Sequence, residues 1–301
     1  MTFRPSNDVD GSVGVTMLVV RPHPDDESSA TGGMLAYYSA RGVRTGVVTC
    51  TGGEEGEIHD PDLDPVADFP RLRKIREREL RNACEILGVS TLRLLGYRDS
   101  GMKDTPANQH PEAFCQADLA EAAGRLVRVI RELRPLVMVT EQEGGSYPHP
   151  DHVNCHRVSV EAFRAAADEG AYPEAGPAWQ VPKLYTVAQI DDGRWEALIP
   201  KFEALGLDVS WLKRRQDGPP RAGPESATVA LDVGPYSEVQ RRALLAHRTQ
   251  IRPDGFFARL PEDLRRRAFK TAYFIRVHPP TAPGERERDL LDGLGGVNGT
   301  S

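Results

Sequence analysis

Cysteine is scarce and scattered: the 301 residues hold four, Cys50, Cys84, Cys115 and Cys155, with no close pair. Neither a disulfide framework nor a cysteine zinc cluster is indicated, and buried, inert thiols are expected. No stretch approaches the roughly 20 apolar residues of a membrane span. Met1 to Gly14 is polar and lacks a signal-peptide core, so a cytoplasmic protein without a membrane partner is expected. Positive charge is not in excess either. A formal net charge of −6 supplies no basic face for phosphates, which excludes nucleic acid as an expected partner. Arg71-Leu72-Arg73-Lys74 and Arg265-Arg266-Arg267 alternate with Glu and Leu at helical spacing and read as solvated helix faces. There is no internal repeat. Gly52, Gly53 and Gly56 lack the G-x-G-x-x-G order and any P-loop lysine, so they read as tight-turn residues rather than a phosphate cradle.

What remains, 39% hydrophobic and 27% charged residues, is the composition of an ordinary globular protein. The apolar run Val15 to Val20 reads as a buried strand, stopped by the prolines of Arg21-Pro22-His23-Pro24-Asp25-Asp26-Glu27. A helix is expected from Ser28 to Arg41, a strand from Val43 to Cys50, and a helix over Arg71 to Leu87 closed by Gly88. Strand Thr91 to Leu95, helix Gln116 to Leu133, strand Pro135 to Thr140 and a helix starting near Val153 follow. This alternation predicts an α/β protein, a Rossmann-like, mostly parallel sheet flanked by helices. Beyond Gly170, strands at Lys183 to Ile190, Ala227 to Val233 and Thr271 to Val277 complete the sheet. Helices at Trp195 to Leu205, Ser237 to Thr249 and Glu262 to Phe269 belong to a smaller C-terminal lobe over the site. The expected organisation is a flexible stretch 1–14, a core 15–170, sheet completion with a substrate-binding lobe 171–277, and a disordered tail 278–301.

Polar clusters follow four strands, and in a parallel sheet they share one edge, where such sheets bind ligands. Two of them, His23-Pro24-Asp25-Asp26-Glu27 and His149-Pro150-Asp151-His152, concentrate imidazoles and carboxylates. Groups so crowded are costly to desolvate unless a cation lies among them. Two His and one carboxylate would hold a catalytic zinc with a position left for water, whose pKa falls to about 7. A further carboxylate can take the proton of that water, and a further His can stabilise an oxyanion or protonate a leaving amine. The same donors also accept Fe2+ or Co2+.

His23 to Glu27, Gly32-Gly33, Val48 to Glu54 and His149 to His152 together resemble the LmbE-like, PIG-L family of zinc de-N-acetylases over residues 15 to 277. The resemblance implies one Zn2+ per chain on His23, Asp26 and His152, with Asp25 as general base. It implies that His149 stabilises the tetrahedral intermediate with Asp151 behind it, and that Tyr147 closes over the oxyanion. It further implies Arg76 and Asp99 as groups holding sugar hydroxyls and makes His247 a further substrate-binding candidate; Glu57, on the loop after the second strand, is another from its position alone. Tyr97 to Met102 and Ala246 to Ile251 resemble the mycothiol-pathway members. The expected reaction is therefore hydrolysis of an N-acyl amide on a small amino-sugar conjugate. A mycothiol S-conjugate amidase type comes first, and an N-acetylglucosaminyl-inositol or other N-acetylglucosamine-conjugate deacetylase is the alternative. A Rossmann-like sugar or nucleotide binder is the rival from another class. The oligomeric state is open, a homo-oligomer included.

Overall fold

The computed structural model describes residues 14–145, 148–216, 221–282 and 284–294. One seven-stranded sheet runs in the order β3-β2-β1-β4-β5-β7-β6. Its strands are β1 (Met17–Arg21), β2 (Thr45–Thr51), β3 (Thr91–Tyr97), β4 (Val137–Thr140), β5 (Lys183–Val187), β6 (Val229–Asp232) and β7 (Thr271–His278). The first five pair in parallel, and β7 lies antiparallel to both β5 and β6. The expected mostly parallel α/β sheet is thus present. β1 sits between β2 and β4, so the chain reverses its direction of travel across the sheet there, and the crevice beyond the carboxyl ends of β1 and β4 is the natural ligand site.

Ten helices occur among the described residues: α1 (Asp26–Ser29), α2 (Gly32–Ser39), α3 (Leu72–Leu87), α4 (Leu119–Leu133), α5 (Pro150–Ala166), α6 (Arg194–Ala204), α7 (Ser210–Gln216), α8 (Ser237–Ala246), α9 (Phe256–Arg259) and α10 (Glu262–Ala268). None is long and apolar enough to cross a membrane. Alternation along β1 sends Leu18 and Val20 into the core shared with α4 and α5, and Met17 and Val19 into the core shared with α2, α3 and α8. Each such fully buried aliphatic side chain contributes about 1.5–3 kcal/mol. A third cluster, around Leu198, Phe202, Leu212, Phe256 and Leu264, is the core of the lobe formed by α6, α7, α9 and α10.

The elements near the site are set by local signals. Helix α3 buries Ile75, Arg76, Glu79, Leu80, Ala83 and Leu87 at helical spacing and stops at Gly88, which takes φ 72°. Helix α5 begins at Pro150, three residues before the expected start, because proline is tolerated at a first helical position. That makes His149 its N-cap. The expected helix 28–41 is interrupted at Ala30-Thr31 and becomes α1 and α2.

Two expectations are corrected. The helix α8 ends at Ala246, so His247 caps it rather than standing inside it. The segment 284–294, expected to be disordered, packs on the sheet. Leu290 and Leu291 are buried in the β1/α2 core, and the Leu290 N–H donates to Tyr38 Oη at 2.9 Å. Glu287 meets Lys183 Nζ at 2.5 Å and Arg276 Nη1 at 2.6 Å. The polar composition of the tail conceals a pair of leucines that complete an apolar face. Residues 1–13 lie outside the described residues.

Candidate active site

The loops after β1, β2, β3 and β4 converge on a cavity of about 770 Å³. At its floor the rings of His23 and His149 meet edge to face with centroids 4.5 Å apart, and His152 lies 5.3 Å from His23. His23 Nδ1 is 3.3 Å from Asp26 Oδ2, and His152 Nε2 is 3.7 Å from the same oxygen. The ligating atoms of His23, Asp26 and His152 all lie within 4.8 Å of one another; so do those of a second group, His23, Asp99, His149 and Asp151. Either group could hold a metal ion.

The outward nitrogens of His23 and His152 rest on buried carboxylates. His23 Nε2 faces Asp151 Oδ2 at 3.2 Å, and His152 Nδ1 faces Glu141 Oε1 at 3.1 Å. Such partners fix the ring orientation and the tautomer of a ligating histidine. Asp151 is held in turn by the Ser100 N–H at 3.0 Å and by the Ser100 hydroxyl. Here the structure departs from expectation. Asp151 stands behind His23, and its Oδ2 lies 4.0 Å from His149 Nδ1. That nitrogen instead accepts the Asp151 backbone N–H at 3.2 Å. In the neutral ring the proton of His149 is therefore on Nε2, which faces Asp99 Oδ1 at 3.5 Å.

Burial would lower the imidazolium pKa of His23, but Asp99, Asp151 and Asp26 outweigh it and raise the value well above the ordinary one. Burial would raise Asp26 and Asp99; the neighbouring histidines pull both carboxyls below their usual range. Asp25 behaves differently. Burial dominates the pull of Arg76, and its carboxyl is pushed up to about 6. Its backbone adopts φ 107°, a costly conformation for a side-chain-bearing residue. It is held there by its own N–H donating to Glu27 Oε2 at 2.9 Å and by Arg76 Nη2 donating to Oδ2 at 3.0 Å.

The substrate-binding candidates divide. Asp99 and Glu57 line the cavity, Asp99 buried beside the histidines and Glu57 exposed on the rim against His59 at 3.1 Å. Arg76 lines it too, yet its guanidinium is engaged by Asp25, Gly53 O and Pro24 O. It is turned to Asp25 and two backbone carbonyls rather than reaching outward. His247 is fully buried against Glu27 at 2.8 Å and does not line the cavity. Tyr147 lies outside the described residues. Arg21, Ser100 and Glu141 join the network unforeseen; the signal available for Arg21 and Glu141 was a lone charge immediately at the end of an apolar strand.

Gly53 takes φ 68°, and a Cβ there would stand 2.3 Å from Arg76 Nη1. Gly53→Ala is therefore expected to push the guanidinium off Asp25 and lower kcat about tenfold to a hundredfold, misplacement of a catalytic group by an ångström having costs of that order. Unchanged kcat in a folded variant would show that Arg76 does not govern Asp25.

With this geometry in place, relatedness is clear. The family model for GlcNAc-PI de-N-acetylase (PIG-L) matches residues 18–163. The chain belongs to that family. It is 42% identical over 289 residues to the 1D-myo-inositol 2-acetamido-2-deoxy-alpha-D-glucopyranoside deacetylase of Acidothermus cellulolyticus, covering 93% of this chain and 95% of that one. A Catenulispora acidiphila protein named as deacetylase 1 of the same kind is 41% identical, covering 95% and 91%. The fold is shared with the N,N'-diacetylchitobiose deacetylase of Pyrococcus horikoshii at a TM-score of 0.61 and 18% identity, over 94% of this chain and 88% of that one.

Proposed function

We propose that this protein is a zinc-dependent deacetylase that hydrolyses the acetamide of an N-acetylglucosaminyl-inositol type of sugar. The observation that carries the chemistry is the cavity-facing set His23, Asp26 and His152 with Asp25 beside it. The substrate class is supported by relatives above 40% identity over more than 90% of the chain, whose name is deacetylase. They favour the alternative reading over the S-conjugate amidase first expected, so the order of the two is reversed.

The residues fit a metal. Between the two candidate groups, His23, Asp26 and His152 all line the cavity, whereas Asp151 does not and already accepts from Ser100. The first set would therefore hold the ion, one per chain, with the two-histidine, one-carboxylate donor set of an open zinc site. Fe2+ or Co2+ could occupy it. When bound, zinc supplies a Lewis acid for the amide carbonyl and acidifies water. Asp25, a quarter exposed to the cavity, takes the proton of the attacking water. His149, with its proton on Nε2, donates to the oxyanion as the carbonyl becomes tetrahedral. The proton held by Asp25 then passes to the departing amine. The Asp151 backbone N–H orients His149, and Asp99, with Glu57 at the rim, accepts hydroxyls of the polyol.

The test is a mass-spectrometric screen of zinc-loaded and chelated protein against N-acetylglucosaminyl-inositol, mycothiol S-conjugates and free N-acetylglucosamine. Fastest acetate release from the inositol conjugate, lost on chelation, is the expected result. Faster cleavage of the S-conjugates would restore the amidase reading, and ligand binding without hydrolysis would favour a binding module.

A further inference from the structure

Arg21 ends β1, directly beneath the metal-ligating cluster, and is 1% exposed. Its Nη2 faces Glu141 Oε1 at 2.5 Å and Asp26 Oδ1 at 3.8 Å. Its Nε and Nη1 have no hydrogen-bond partner among the described residues. A buried guanidinium so incompletely satisfied costs stability rather than supplying it. Stability therefore does not account for its place, and the carboxylates it touches do. Glu141, itself fully buried, holds His152 Nδ1, and Asp26 Oδ2 faces His152 Nε2 from the other side. Arg21, Glu141, His152 and Asp26 form a closed ring of contacts in which one guanidinium reaches both strand ends at the switch point.

We infer that Arg21 is a positioning residue for the metal centre: it pins Asp26 and, through Glu141, His152, so that the two ligands from β1 and β4 converge on one ion. The inference rests on the zinc site proposed above and concerns how that site is held. Charge and geometry predict opposite outcomes. On charge alone, removing a cation beside a cation site tightens metal binding. Loss of an outer partner that orients the ligands weakens it, by about 10–100-fold.

The experiment compares the whole protein with Arg21→Met and Arg21→Lys by zinc competition against a chromophoric chelator, by the visible spectrum of the Co2+ form, and by the melting temperature of the metal-free protein. Arg21→Met is expected to weaken the zinc Kd by about 10–100-fold and to change the Co2+ bands. Arg21→Lys, which keeps the charge but not the fork, is expected to fall between it and the wild type. If Arg21→Met does not fold, Arg21→Lys carries the test. Zinc binding that is tighter or unchanged in the folded variants, with an unaltered Co2+ spectrum, overturns the inference. Absence of stoichiometric zinc from the wild type would instead defeat the metal assignment itself.

Discussion

Asp25→Asn is expected to lower kcat for amide hydrolysis by about 10²–10⁴, the contribution of a positioned general base, with zinc stoichiometry and melting temperature close to wild type. Asparagine has the same size, tolerates positive φ better than other side-chain-bearing residues, and can still accept from Arg76 at the oxygen that now accepts at 3.0 Å. What it cannot do is take a proton. The proposed ligands His23, Asp26 and His152 keep their own supports, Asp151 for His23 and Glu141 for His152, so a bound metal should remain. Single-turnover rates at saturating zinc separate the outcomes. A rate within tenfold of wild type at full occupancy removes Asp25 from proton transfer, and a fall in rate that tracks zinc loss makes it a support for the site instead.

Much of this site is legible in the sequence because both clusters follow apolar strands. A strand that ends in proline delivers its next residues to the sheet edge whatever the rest of the chain does, and parallel pairing brings those edges together. Relations across the cluster were less legible. The family resemblance implies that Asp151 serves His149, but the two occupy the N-cap and second position of α5; there the backbone N–H of Asp151 reaches the ring while its carboxylate turns to His23. Arg21 and Glu141 are single charges whose significance depends on β1 and β4 being neighbours, which no local pattern states. In the lobe, α7 and α9 span 7 and 4 residues, too short for periodicity to show. The packed tail was hidden for a related reason, since a pair of leucines in a polar segment carries no period.

His247 is where local periodicity misled and long-range packing supplies the role. His247→Leu is expected to destabilise the fold by about 3–5 kcal/mol, the cost of breaking a buried ion pair from one side, because Glu27 and His247 are both fully buried at 2.8 Å. Denaturant unfolding checks this, and pH gives it a signature. Burial opposes the charge of Glu27, yet His247 lowers its pKa below the ordinary 4.5; that stabilisation is full above about 4.5 and lost as pH falls through the lowered folded-state value. Burial also opposes the charge of His247, yet Glu27 raises its pKa above 6.5; that stabilisation is full below about 6.5 and lost as pH rises through the raised folded-state value. The gap between wild type and His247→Leu should therefore be widest between about pH 4.5 and 6.5 and narrow on either side. The double variant Glu27→Met/His247→Leu distinguishes packing from positioning. Replacing both partners with apolar groups should restore most of the stability. It should not restore kcat, because the Asp25 N–H loses the Glu27 oxygen that holds it at 2.9 Å in its φ 107° conformation. Recovery of both together would reduce the pair to packing, whereas recovery of stability alone places Glu27, which His247 from beyond α8 holds, behind the proposed base Asp25.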